Sequence, residues 1–491
     1  MLWTDLISQG DEEMAYINGV DRNQLTLEPL SLDDYVSEDN VCRVIDAFVN
    51  TLDLIAMGFR NAQTNPYGRP PYDPADMIKL YVYGYLNRIR SSRRLETETH
   101  RNLEVMWLIN GLSPDDKTIC NFRKDNPKPL KMVFRKFNEI CIQLNLIGRE
   151  TVSIDGSKFK ADNGRKNCHT EKSVKENLKK LEKKTTEYLN ELEENDANGS
   201  EEAAVNADRI QDALKHLNEK TEKMEGLLSD IQANKGQAVC TVDTEAELMK
   251  QGNGNGFDVC YNVQAAADEK HGLIVTFEVT DSCNDLNELS SVAIEAKEAL
   301  QADALNVIAD TGYSNGKEIN ECEKNGIDTY IPKPKPAHQP ENAKFQRDQF
   351  IYDSEKDVYT CPAGNEMPRI RVRERDGFVV YSNRPACMNC PIKDQCTKSK
   401  TLREIERSPY EDKVNEAALR AKNNPDIFNR RKELSEHPFG VIKSVWGFGQ
   451  FLCRGKEKTT GEAALAFLAF NLRRAITILG TEKLVKALIA Q

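Results

Sequence analysis

Residues 41–57 (VCRVIDAFVNTLDLIAM) carry apolar side chains at helical spacing and predict an amphipathic helix, which NAQTNPYGRPP then interrupts. A second helix is signalled by Asp73 as N-cap, Pro74 at the first helical position and Asp76 in the first turn, and should run to about Ile89. Ser92 can cap a third, which carries Leu95, Leu103, Met106 and Trp107. Ser113-Pro114 with Asp116 three residues after the cap has the spacing of a capping box. Residues 128–146 extend the pattern, with Leu130, Val133, Phe134, Phe137, Cys141 and Leu144 on one side. Residues 1–149 therefore read as an all-helical domain.

The period changes at residue 151. TVSIDGSKFKA has strand character with a turn expected at Gly156, and GFDVCYNVQAAAD and HGLIVTFEVTD look like further strands of the same sheet. A helix over 285–300, a short strand over 305–309 ending at Asp310, a helix over 317–325 and a strand in TYIPKP follow. Strands followed by helices indicate an α/β domain with ligands at the strand ends. Its parts are 150–169, 236–335 and 410–491. Residues 170–235 interrupt it as two charged helices broken at DANGS, which fit an antiparallel coiled-coil arm. That arm serves equally as an assembly contact or a solvated insertion. A second interruption, 345–400, holds a hairpin and a cysteine cluster. GEAALAFLAFNLRRAITILG reads as a buried helix that closes the α/β domain.

Composition changes this picture little, at 39% apolar and 30% charged residues. The longest apolar stretches are short and the first twenty residues are acidic, so no membrane partner is expected. Several of the thirteen cysteines lie inside elements, which suits a reducing cytoplasm. The net charge of −11 argues against nucleic acid until its distribution is considered. Residues 1–60 hold 12 acids and 3 bases, whereas 69–149 hold 9 acids and 15 bases. A duplex sees charge within a screening length of roughly 10 Å, so a local basic surface suffices. Arg88, Arg90, Arg93 and Arg94 lie along the short helices, which could form a helix-turn-helix-like DNA binder or an ordinary bundle.

Three acids are candidates for chemistry. Asp155 lies where the strand SID is expected to end at Gly156 and Asp310 follows the apolar NVIA, and two carboxylates at adjacent strand ends repel unless a cation such as Mg²⁺ lies between them. Paired metal ions need a further acid, and Glu436 is the best candidate, with Lys443 about two turns on along a helix and Glu433 nearby. Taken singly, each acid is more often an ordinary turn, cap or surface residue than a metal ligand. Cys361, Cys387, Cys390 and Cys396 have spacing that suits a structural Zn²⁺, the alternative being a reduced cluster without metal. Lys158 and Lys160 follow Asp155 and could contact a DNA backbone or simply be solvated.

At these residues the chain resembles bacterial insertion-sequence transposases of the DDE class (IS4-like superfamily). The likeness is carried by GRPPYDPADMIKLYVYGYLNRIRSSRRLE, TICNFRKDN, SIDGSKFKA, ADTGYSNG and RRKELSEHPFGVIK, and spans nearly the whole chain. It implies an RNase H-like mixed-sheet core with Asp155, Asp310 and Glu436 as catalytic ligands of Mg²⁺ or Mn²⁺. It also implies cleavage at transposon terminal inverted repeats in double-stranded DNA and attack of the freed 3′-hydroxyl on target DNA. A homodimer assembled on DNA and a bacterial cytoplasmic, nucleoid-associated location are expected. The third motif of related families reads Tyr, two residues, Arg, three residues, Glu, six residues, Lys. Glu436 and Lys443 keep its second half, but Lys432 stands at the Arg place and Asn429 at the Tyr place, with Arg430 or Arg431 as substitutes. Two alternatives remain: a metal nuclease sharing the core but without strand transfer, and a nonenzymatic DNA-binding assembly protein.

Overall fold

A computed structural model describes residues 31–63, 70–198, 201–234, 236–251, 256–334 and 344–490. The acidic first thirty residues and part of the interruption before Asp73 lie outside them. Helix α1 (Val41–Asn50) stops short of the expected 57, because the Thr51 hydroxyl bonds the Phe48 carbonyl and Asp53 captures the Ala56 amide. Helix α2 (Pro74–Leu86) begins as expected, with the Asp73 side chain accepting from Ala75 N. It ends earlier than Ile89, since Arg88 turns left-handed (φ 62°) and Ile89 N bonds the Gly84 carbonyl at 2.6 Å. α3 (Ser92–Arg101) and α4 (Leu103–Leu108) follow. α5 (Asp116–Asp125) is capped by Asp115, which holds Thr118 N at 2.6 Å, so the cap expected at Ser113 is displaced by two residues. α6 (Pro127–Gln143) completes the helical region.

Strand β1 (Thr151–Lys160) runs straight through Gly156, where a turn was expected. Strand β5 (Phe257–Asp268) pairs with it along nearly its whole length, Asp155 opposite Ala265 and Gly156 opposite Gln264, which keeps the backbone extended. Between them lie β2 (Cys168–His169), the long helices α7 (Glu171–Asn198) and α8 (Glu201–Ala233), β3 (Val239–Cys240) and β4 (Glu247–Lys250). Val174 near the start of α7 packs on Leu227 and Ile231 near the end of α8, so the two helices run antiparallel from a base where β2 pairs with β3. β6 (Ile274–Thr280), α9 (Leu289–Leu300), β7 (Leu305–Ile308), α10 (Gly316–Lys324) and β8 (Ile327–Tyr330) complete a six-stranded mixed sheet. Its order is β4-β5-β1-β7-β8, with β6 sharing the outer edge of β5; β1, β7 and β8 are parallel and β5 antiparallel to β1.

A separate five-stranded sheet follows, from β9 (Ile351–Asp353), β10 (Val358–Thr360), β11 (Glu366–Val372), β12 (Val379–Tyr381) and β13 (Ile405–Arg407), with α11 (Arg384–Met388) and α12 (Lys393–Cys396) between its last two strands. Its own core is small: Phe350, Tyr359, Met367, Tyr381 and Ile405. The chain then returns through α13 (Glu411–Asn423), α14 (Pro425–Asn429), α15 (His437–Gly440), α16 (Lys456–Leu479) and α17 (Thr481–Ile489). Among the described residues no single helix is long and apolar enough to cross a membrane.

Helix α16 is buried from Gly461 to Leu472 and packs on the helical region as well as on the sheet. The Phe277 ring of β6 meets Phe134 of α6 at 5.2 Å and Phe467 of α16 at 4.8 Å. Two buried asparagines repeat that junction: Asn138 donates to the Ile274 carbonyl, and Asn471 donates to Asn138 and accepts from Ile274 N. The helices before residue 150 and the sheet after it therefore share one hydrophobic core.

Candidate active site

Asp155 sits in mid-strand on β1, and Asp310 directly follows the β7 segment and Ala309. Because β1 and β7 are neighbours and parallel, the two carboxylates reach the same end of the sheet. Burial, and then the charge of Asp310, push the Asp155 carboxyl up to about 6, against the opposing pull of the Gly156 amide, Arg431 and Ser435. Burial and a like charge disfavour the ionised form of Asp155, and the two side chains offer only oxygen donors, the set that suits a hard cation such as Mg²⁺ or Mn²⁺. Asp310 also orders its own turn, accepting from Gly312 N at 2.7 Å.

The third motif crosses over β1 as an irregular helical segment, 432–436, followed by α15. Ser435 is buried and faces Asp155, while Glu433 and Glu436 are exposed on either side of it. Lys443 is half-buried and bound inward, donating to the Ser157 hydroxyl at 3.0 Å and the Lys158 carbonyl at 2.7 Å and lying 5.0 Å from the centre of the Phe159 ring. It thus ties the third motif to β1. Burial lowers its ammonium pKa.

Several residues missing from the sequence reading also belong here. Asp285, in the loop between β6 and α9, accepts from Asn262 and Gln264, and Gln264 accepts from the buried Tyr313 hydroxyl. Asp285, Asp155, Asp310 and Glu288 all raise the Tyr313 pKa after burial itself, so four acids lie around one phenol. Tyr313 lies within ADTGYSNG, but nothing in SCNDLNE marks Asp285.

The basic candidates divide. Arg90 points inward to the Gln450 and Gly447 carbonyls and the face of Phe448. Arg93 pairs with Asp116, Lys160 with Asp258, and Arg430 with Glu269, while Lys158 donates to the Lys250 carbonyl. Arg88, Arg93, Arg94 and Lys432 are exposed, and Arg431 is half-buried beside Asp155.

Cys361, Cys387, Cys390 and Cys396 line one cavity of about 30 Å³, and the other three raise the pKa of Cys396 after burial and against the pull of Arg403. Cys361 opens a tight turn in which Gly364 N returns to its carbonyl at 2.8 Å. Among the described residues no three His, Cys, Asp or Glu side chains are closed to metal-ligand distances, so neither the four thiols nor Asp155, Asp310 and Glu436 form a finished ligand set.

Residues 30–125 match the family described as Transposase domain (DUF772), and residues 360–476 match the Transposase DDE domain. The chain belongs to the insertion-sequence DDE transposases. The second match covers the cysteine module and the third motif of this transposase, and the first covers its short helices with their arginines. No curated protein matches it. A cryo-EM structure of the piggyBac transposase synaptic complex with hairpin DNA is similar to it at 9% identity and a TM-score of 0.31, over 93% of this chain and 77% of that one. A likeness at that score carries no argument here.

Proposed function

We propose that this transposase cuts double-stranded DNA at the terminal inverted repeats of an IS4-like element and joins the freed 3′-hydroxyls to target DNA, on an RNase H-like core. The observation that carries the reading is the meeting of Asp155 and Asp310 on adjacent parallel strands, with the Asp155 carboxyl raised to about 6. The order β6-β5-β1-β7-β8 with β5 antiparallel supports the core assignment. Asp155 and Asp310 would hold Mg²⁺ or Mn²⁺, with Glu436 as the third acid and Glu433 as its substitute. When bound, such ions activate a water or 3′-hydroxyl and stabilise the departing oxygen. Ser435 and Arg431 hold Asp155 from the side of the third motif, and Lys443 anchors that motif on β1. Exposed Arg88, Arg94 and Lys432 are placed to reach phosphates, and Arg93 would do so by exchanging its Asp116 partner for one. Two ends must meet before joining, so a homodimer on DNA follows.

Cleavage and strand transfer of matched terminal-repeat DNA with Mg²⁺ or Mn²⁺ tests the proposal. Lewis-acid stabilisation is worth several kcal/mol, so Asp155→Asn, Asp310→Asn and Glu436→Gln should each lose about 10³-fold in rate at ~1.4 kcal/mol per decade. Full activity in one variant removes that residue from the site. Cleavage without joining of pre-cut ends would make the protein a nuclease, and DNA binding with no metal-dependent chemistry would leave only an assembly role.

The four cysteines are proposed to take a structural Zn²⁺, which would staple a sheet whose core is five side chains. Metal analysis of protein purified without chelator should find about one zinc per chain, lost in Cys390→Ser. A metal-free wild-type chain that unfolds no earlier after chelation would leave a plain thiol cluster.

A further inference from the structure

We infer that Asp285 is a positioning residue of the acidic site, acting through Gln264 and Tyr313 on Asp310. The inference rests on the reading of Asp155 and Asp310 as cation ligands and goes beyond it, since Asp285 lies outside the three acidic motifs. Its Oδ1 accepts from Asn262 Nδ2 at 2.7 Å and Gln264 Nε2 at 2.6 Å. An ionised carboxylate only accepts, so it turns the amino group of each amide toward itself. That leaves Gln264 Oε1 facing away, where it can be satisfied only by a donor, and the Tyr313 hydroxyl supplies one. Gln264 and Tyr313 are both 0% exposed, so water cannot replace either partner.

Tyr313 in turn ends the short turn that Asp310 begins, its amide returning to the Asp310 carbonyl at 3.3 Å while the Asp310 carboxylate caps Gly312. Each donor direction from Asp285 through Gln264 to the Tyr313 hydroxyl is set by the one before it, and the ring so held anchors the turn that carries Asp310. Asp285 also bears on the other half of the site: a Cβ on Gly156, the residue after Asp155, would lie 2.5 Å from its Oδ1. Its Oδ2 faces the Gly312 position, 3.8 Å from where a Cβ would stand there. One carboxylate therefore sets the spacing between the β1 backbone at Gly156 and the turn that presents Asp310.

The test is Mn²⁺ binding without DNA, followed by electron paramagnetic resonance, in the full chain and its variants, with circular dichroism to check folding. Asp285→Ala and Tyr313→Phe should each weaken binding about 10- to 100-fold, the range for partners that orient metal ligands. The double variant should lose little more than either single one, because both cut the same chain of bonds. Asp285→Asn keeps an acceptor oxygen at the same place and should bind within about threefold of wild type, a rescue that loss of general packing would not give. Wild-type affinity in both Asp285→Ala and Tyr313→Phe would overturn the inference. Loss in Asp285→Asn as large as in Asp155→Asn would overturn it differently, by making Asp285 a ligand itself. Tight Mn²⁺ binding in a wild-type protein that cuts no DNA would sink the transposition chemistry and leave the positioning role standing. Binding that Asp155→Asn leaves unchanged would sink both.

Discussion

Gly156 has no room for a side chain, and this is the sharpest constraint at the scale of a single residue. A methyl there would stand 2.4 Å from Gln264 Nε2 and 2.5 Å from Asp285 Oδ1, and neither can retreat, because each is held by the other and Asp285 also by Asn262. Gly156→Ala should therefore cost about 1–3 kcal/mol, the usual penalty of overpacking, in urea unfolding, and should also lower DNA cleavage. Gly449→Ala is the control, since nothing lies within 4 Å of a Cβ at that position. Equal stability of the two variants would remove the close approach from the account. Sequence pattern singled out Asp155 and Asp310 as strand-end acids and the resemblance gave them their proposed roles, but the pattern read Gly156 as a turn. The actual reason for glycine lies on β5 and in the loop after β6, more than a hundred residues away. Asp285 was hidden for the same reason: its partners are adjacent only through strand pairing, which a local pattern does not encode. Glu436 was legible only as part of a motif, and its neighbour Ser435 is the residue that faces Asp155.

Among elements, the arm shows what periodicity can and cannot reveal. Leucine spacing among charges was enough to announce two helices and the break between them, whereas the joint that holds their base was not visible. Cys168 on β2 lies directly opposite Cys240 on β3. Thr241 N bonds the Asn167 carbonyl at 2.8 Å, which makes the cysteines a non-hydrogen-bonded pair, the register at which cross-strand side chains come closest. Their sulfurs are 2.7 Å apart and both are thiols. A small-molecule disulfide should oxidise them, two thiols giving one disulfide while the oxidant is reduced to two thiols. Alkylation and mass spectrometry should then show these two cysteines protected, reversibly, ahead of buried Cys42 or Cys141. Closing a loop of about 70 residues would stabilise the base by at most roughly 4 kcal/mol in the chain-entropy account. The oxidised wild type should melt higher than oxidised Cys168→Ser, and a crosslink elsewhere, or none, would refute the pairing.

For the whole molecule, the division expected near residue 149 is marked by a change of hydrophobic period but not by a break in the core. Glu462 on α16 shows why the two regions act together. It is fully buried, takes the Leu452 and Cys453 amides on Oε2 at 2.9 Å each, and turns Oε1 toward Arg90 at 3.8 Å and Arg123 at 4.0 Å. Arg90 also holds the Gln450 and Gly447 carbonyls, so the loop after the third motif is gripped from the helical region. That loop packs Phe448 and Phe451 on Phe159 of β1, four residues beyond Asp155. Arg90, read from the sequence as a DNA contact in a basic helical segment, is thus structural, because the buried Glu462 carboxylate in a distant helix needs it beside Arg123. Removing one partner of a buried ion pair leaves the other charge uncompensated and typically costs about 3–5 kcal/mol. Glu462→Ala should lose that much in urea unfolding, and tryptophan fluorescence and circular dichroism should fall together in one transition. Trp107 reports on the helical region and Trp446 on the third motif, so fluorescence samples both sides of the junction. If the variant instead melts in two steps, with the helices unfolding apart from the sheet, the shared core does not couple them and the arginine grip is local.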